Sequence, residues 1–273
     1  MDLLTNYENR LLVRNLSKHT IEVYVSVAKK LLAINANFFS QSQEEIINFL
    51  AAKVKRGCSG SAIAQHIAVI DGIRKDIVGI PDNIKIKKPQ RDAVLPDVLT
   101  TEEFQKLYST IRNTKHKIAV ALMYSTGMRV GEVVSLKIKD IDSLNNKIII
   151  RKPKGKVDRV VLLDEKIFLL IKEYLSEYNP KEYFLNGEKG GQYSSRSIQM
   201  IVKSACKKAN IEKNISTHSM RHSCFTQLIK NGTDLRTVQR LAGHKNINTT
   251  AGYIRITDQD VLDIKSPIKS IIL

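Results

Sequence analysis

Apolar residues return every three to four positions along nearly all of this chain, and the period changes at only one stretch, near residues 147–163. A chain patterned this way buries its apolar side chains by packing helices against one another, with room for one small sheet. Ile21, Tyr24, Val25, Ala28, Leu31 and Leu32 recur at helical spacing behind Ser17, a candidate cap. Ser42 and Glu45 form a capping-box pattern ahead of Ile46, Ile47, Phe49 and Leu50. Ile63, Ile67, Ile70, Ile73 and Ile77 make a further stripe. The first ~80 residues are therefore expected to form a small helical bundle with these stripes as its core.

Residues 84–98 interrupt the pattern with Pro89, Pro96 and the charges Lys85, Lys87, Lys88 and Arg91. Prolines among solvated charges predict an interdomain linker, dividing the chain into 1–83, 84–98 and 99–273. The second domain opens on another capping-box pair, Thr100 and Glu103, and continues with helices over about 115–126 and from Arg129. Lys147–Arg151 and Asp158–Leu163 then predict β-strands joined by the turn Lys152-Pro-Lys154-Gly-Lys156, and Asn145-Asn146 predicts a turn before them. Four helices follow, at about 165–177, 194–209, 219–231 and 234–242. The expected fold is mainly α: an N-terminal helical bundle and a mixed helical domain carrying a small antiparallel β-sheet.

Lys and Arg number 44 against 27 Asp and Glu, a net charge of +17. The excess is spread, with 14 basic and 9 acidic residues up to position 95 and 30 against 18 beyond it. A folded chain this basic points to a polyanion, nucleic acid first. No amphipathic basic helix, lipidation motif or apolar run of membrane-spanning length is visible, so no membrane partner is expected. Cys58, Cys206 and Cys224 are odd in number and far apart, which gives no disulfide framework and fits a reducing compartment. MDLLTNYENR lacks the order of a secretory signal, so a cytoplasmic location is expected, nucleoid-associated when bound to DNA.

Polar residues gather at four places where packing alone would not ask for them: Thr126 to Glu132 around Arg129, the Lys154 turn, Thr217 to His222, and Leu241 to His244 followed by Tyr253. In this order, as STGMRVGEVVSL, KPKGKVDRVVL, HSMRHSCFTQLIKNG and LAGHKNINTTAGY, they resemble the boxes of the tyrosine recombinases, the phage integrase and Xer-like family of site-specific DNA recombinases. The resemblance spans the second domain. It reaches the first through NLSKHTIEVYVSVAKKLL, which is similar to the family's DNA-clamping helices. It implies that the bundle is a SAM-like core-binding domain and that 99–273 is the catalytic domain. Met220 stands where the family usually has Leu, an apolar exchange.

The residue types suit phosphodiester chemistry. Without a metal, such a site needs cations on the non-bridging oxygens, an acid for the leaving oxygen and a nucleophile. Arg129 and Arg221 suit the clamp, since a guanidinium donates two parallel hydrogen bonds and stays charged. His218 lies about one helical turn from Arg221, so both can face one phosphate. Tyr253, with an ordinary pKa near ~10, needs a cationic pocket to attack as a phenolate.

The resemblance assigns the remaining roles. Lys154 would protonate the departing 5′-oxygen, with Lys156 as its rival. His244 would contact the scissile phosphate, and His218 would assist proton transfer from Tyr253. Glu132 would brace the arginine rather than react. His218, His222 and Cys224 permit two metal ligands on one helix face, yet nothing nearby supplies a third and fourth, so no metal or cofactor is expected.

The implied activity is site-specific recombination through a 3′-phosphotyrosyl intermediate and a Holliday junction, without ATP or metal. The implied partners are double-stranded DNA with paired inverted half-sites and other copies of the chain, a dimer on each site and a homotetramer on two duplexes. A type IB topoisomerase-like nicking and rejoining enzyme and a non-catalytic DNA-binding regulator are the alternatives.

Overall fold

Side-chain caps fix where most of the helices begin. In the computed structural model, which describes residues 2–81, 84, 96–151, 158–187, 191–243 and 247–251, α1 (Leu3–Val13) is followed by α2 (Lys18–Ile34), α3 (Gln43–Lys55) and α4 (Gly60–Ile73). Ser17 accepts the N–H of Thr20, Ser59 accepts that of Ala62, and Ser42 and Glu45 make the reciprocal box. Each such cap satisfies a donor that the first helical turn orphans, contributing about 1 kcal/mol.

The chain divides into two units, Met1–Ala93 and Val94–Leu273. In the first, the expected stripes supply the core: Ile21, Ala28, Leu31, Ile46, Leu50, Ile63, Ile67, Ile70 and Ile73 are buried together with Tyr7, Leu11, Phe38 and Phe39. Ile47, counted in the third-helix stripe, is instead 36% exposed. It lies one residue from Ile46, about 100° around the helix, and so leaves the buried face. Arg74 is buried beside this core, where its Nη1 donates to the carbonyls of Phe39 and Gln41 at 3.1 and 2.6 Å.

Both described ends of the 84–98 segment are tied down. Ile84 is buried in the first core and donates its N–H to Asp71. At the other end Asp97 accepts the N–H of Asn214, the Val98 carbonyl accepts from Lys213, and Leu99 is buried with its N–H on Ser223. A single apolar residue among charges shows no period, so composition alone does not reveal these anchors. Residues 85–95 lie outside the described residues.

The second unit is built around α6 (Thr114–Thr126), whose residues from Ile118 to Met123 are all buried. A helix apolar on every side belongs at the centre of a domain. It packs against α5 (Thr101–Ser109), α7 (Val130–Ser135), α8 (Glu165–Tyr178), α9 (Ser195–Lys208) and α10 (Thr217–Lys230). β1 (Ile141–Asp142), β2 (Lys147–Ile150) and β3 (Arg159–Leu162) form an antiparallel sheet in that order, with Ile148 opposite Val161 and Ile150 opposite Arg159. Asn146 takes a φ of 46° in the turn between β1 and β2, where Asn is well tolerated. The chain then ends its described course in α11 (Leu235–Ala242) and α12 (Ile247–Ala251). No helix among the described residues is long and apolar enough to cross a membrane.

Candidate active site

The starts of two helices and the end of β2 converge on one cleft of about 540 Å³, lined by Arg129, Glu132, Arg151, Thr217, His218 and Arg221. Gly127 ends α6 with a φ of 64°, and two residues later Arg129 caps α7. The short interval between the helices turns the Arg129 side chain into the cleft. α10 begins at a cap that the sequence reading passed over: Ser216 accepts the N–H groups of His218 and Ser219. That cap fixes the start of the helix, and the spacing of three then brings His218 and Arg221 to the same wall.

Arg221 is 1% exposed. Its Nη1 donates to the Gly127 carbonyl and its Nη2 to the Ala242 carbonyl at 2.6 Å, while the guanidinium lies 4.7 Å from the Phe225 ring centre. One side chain therefore pins α10 to the ends of α6 and α11. A guanidinium has five N–H donors, so this bracing leaves it capable of meeting a phosphate.

Gly127 has no room for a side chain. A Cβ there would overlap the Phe225 ring, with Cε1 only 2.8 Å away, and would sit on left-handed backbone. Gly127→Ala is expected to destabilise the second unit by about 3 kcal/mol, from overpacking and left-handed strain together. A denaturation midpoint unchanged from wild type would refute this.

Glu132 reaches back to accept the Arg129 N–H at 2.7 Å and also its Nη1 at 3.2 Å, so it braces Arg129 as expected. Its stronger partner is one the sequence reading missed: Arg159, 7% exposed, donates Nη1 and Nη2 to the two carboxylate oxygens at 2.7 and 2.6 Å. Burial alone would raise the carboxyl pKa. The hydrogen bonds from Arg159 and from the Arg129 backbone, with the charges of both arginines, overcome it and hold the group at about 2 against an ordinary 4.5. Arg159 was legible in principle, because alternation along β3 puts 159, 161 and 163 on the buried face.

A carboxylate with a depressed folded pKa stabilises fully above its unfolded pKa and loses that contribution as pH falls through the folded value. The Glu132 contribution, about 3 kcal/mol at about 1.4 kcal/mol per pKa unit, is therefore present above pH 4.5 and lost toward pH 2. Glu132→Ala should cost about 3–5 kcal/mol at neutral pH, because it strands the buried Arg159 charge. Adding Arg159→Met should recover most of that loss. Melting curves of the single and double variants test this, and a double variant no more stable than the single one would sink the account.

Burial, followed by the charges of Arg221 and Arg129, lowers the pKa of His218 below the ordinary 6.5 and so favours the neutral ring. A neutral imidazole is the form that can accept a proton. His222 stands edge-on to it, ring centres 4.5 Å apart, and burial, then His218 and Arg221, push it down to about 4. Cys224 is buried, with its thiol raised to about 12, and its Sγ lies 3.6 Å from the Ser125 carbonyl.

The structure thus brings Arg129, His218 and Arg221 into one cleft. Lys154, its rival Lys156, His244 and Tyr253 lie outside the described residues. Their flanks are described: Arg151 and Asp158 bound the lysine turn, Gly243 closes α11 just before His244, and α12 ends at Ala251, two residues before Tyr253.

Residues 97–260 match the model of the phage integrase family. The chain belongs to that family. The integrase-family chain is 30% identical over 266 residues to a tyrosine recombinase of Thermosipho africanus, covering 92% of this chain and 93% of the relative. It is equally similar, 30% over 261 residues, to tyrosine recombinase XerA of Pyrococcus horikoshii, covering 94% and 90%. The solved structure of XerH site-specific recombinase bound to its palindromic difH substrate shares the fold, with a TM-score of 0.75 at 22% identity over 92% of this chain and 80% of that one.

Proposed function

We propose that this chain performs site-specific DNA recombination by tyrosine-mediated strand cleavage and rejoining. The observation that carries the reading is the cleft itself, where Arg129 at the start of α7 and His218 and Arg221 on α10 face one space. Arg129 and Arg221 take the non-bridging oxygens of the scissile phosphate. Tyr253 attacks phosphorus, its proton passing toward His218, and the P–O5′ bond breaks as Lys154 protonates the departing oxygen. The product is a 3′-phosphotyrosyl link and a free 5′-hydroxyl. His244 supports the phosphate from the start of the α11–α12 connection. Attack of a 5′-hydroxyl from the partner duplex reverses the chemistry and releases Tyr253. Two such exchanges, passing through a Holliday junction, need two sites and four protomers, a dimer on each pair of inverted half-sites.

The test begins with a random-sequence duplex pool, from which DNA is recovered in adducts that survive denaturation. A recovered site, offered as two differently labelled duplexes in the presence of EDTA, is expected to give recombinant strands. Rejoining of each strand only to itself would establish a topoisomerase-like enzyme instead. Binding without any adduct would establish a DNA-binding regulator.

A further inference from the structure

The cleft holds a third arginine that none of the roles above uses. Arg151 follows β2 directly and lines the same space as Arg129, His218 and Arg221. Its Nε lies 2.6 Å from Oδ1 of Asp140, the last residue of the short 3-10 turn that precedes β1. The Asp140 side chain is 8% exposed and that of Arg151 58%. The buried carboxylate therefore anchors the root of the guanidinium while the rest of it reaches the cleft. Among the described residues Asp140 is the hydrogen-bond partner of Arg151, and the charge of Asp158, across the lysine turn, also acts on the guanidinium.

The charge balance of the cleft points the same way. Glu132 is the only carboxylate among its described lining residues, and that group is already shared between Arg129 and Arg159. One phosphodiester carries a single negative charge, which the Arg129–Arg221 pair is sufficient to meet. An additional anchored guanidinium is complementary to an additional anion, and a DNA strand presents one at each neighbouring nucleotide. The buried Asp140 calls for a cationic partner, and Nε alone meets that need, so the rest of the guanidinium is available to the cleft it lines.

We propose that Arg151, positioned by Asp140, forms a second phosphate subsite that takes the DNA phosphate adjacent to the cleaved one. The subsite rests on the recombinase reading and sets the register of the strand. Only when the neighbouring phosphate sits on Arg151 is the scissile phosphate seated between Arg129 and Arg221.

The test uses the full chain and a cleavage site captured from the random pool, with each phosphate flanking the cut replaced in turn by an uncharged methylphosphonate. One replacement should weaken binding by the wild-type chain about tenfold, the size of a lost charge-assisted hydrogen bond. It should cost Arg151→Gln nothing further. The same variant should show a salt slope shallower by about 0.9, the contribution of one duplex phosphate. Arg151→Lys, which keeps a charge beside Asp140, should retain the slope. Asp140→Asn, which loosens the anchor, should lose affinity at that one phosphate only. Losses that add at every phosphate in Arg151→Gln would overturn the subsite while leaving the recombinase reading intact. Equal losses at all phosphates, together with a lowered melting temperature in both Arg151 variants, would reduce Arg151 to a structural partner of Asp140. Failure of the wild-type chain to capture any duplex would overturn both readings.

Discussion

Tyr253→Phe is expected to bind and pair DNA sites like the wild type and to form no covalent adduct. The substitution removes only the phenolic oxygen, so net charge and the aromatic ring are kept while the proposed nucleophile is lost. Tyr253 stands out because no tyrosine among the described residues lines the cleft. Tyr193 is bonded to His116 at 3.1 Å, Tyr183 lies against Lys137, and burial raises Tyr174 to about 12. A raised pKa makes a phenol a poorer source of phenolate. Gel analysis after denaturation reads the result directly. A persistent adduct in Tyr253→Phe would mean that another tyrosine is the nucleophile, with Tyr193 and Tyr183 the first to replace.

Lys154→Ala should slow cleavage of ordinary DNA by about 10²–10⁴-fold, the range of a general acid acting on a poor leaving group. The same variant should recover most of its rate on DNA carrying sulfur at the scissile 5′-bridging position, because a thiolate departs without a proton. Arg129→Ala and Arg221→Ala should show no such rescue, since the proposed mechanism aims their charge at the non-bridging oxygens. For Arg221 a second effect is expected, because its removal also releases the Gly127 and Ala242 carbonyls it holds. Single-turnover rates on the two substrates decide the matter. Rescue of Lys156→Ala in place of Lys154→Ala would move the acid by two residues and keep the mechanism. Rescue of neither would take the acid away from this turn.

Much of the local structure was legible because it is written at short range. Capping boxes at Ser42 and Thr100 span three residues, and both form. The isoleucine stripe of α4 repeats every three to four residues and is buried from Ile63 to Ile73. β2 and β3 follow from the change of period, whereas β1, only two residues long, shows no period and is seen only in the structure. Ile47 departs because the run of apolar residues on α3 is wider than the face its neighbours cover.

The helical class, the small sheet, the basic charge and the order of polar boxes that carries the family resemblance are all readable along the chain. All of these depend on residue type and spacing along one segment. The tertiary structure alone decided which distant charges meet. Glu132 and Arg159 are 27 residues apart, Arg221 and Gly127 are 94 apart, and Asp140 with Arg151 is fixed by sheet register. Such pairs leave no periodic trace, since a buried charge finds its partner by packing of whole elements rather than by its neighbours in the chain. The arginine read as a phosphate clamp, Arg221, therefore proves also to be the strut that joins three helix ends, a role visible only once those ends are brought together.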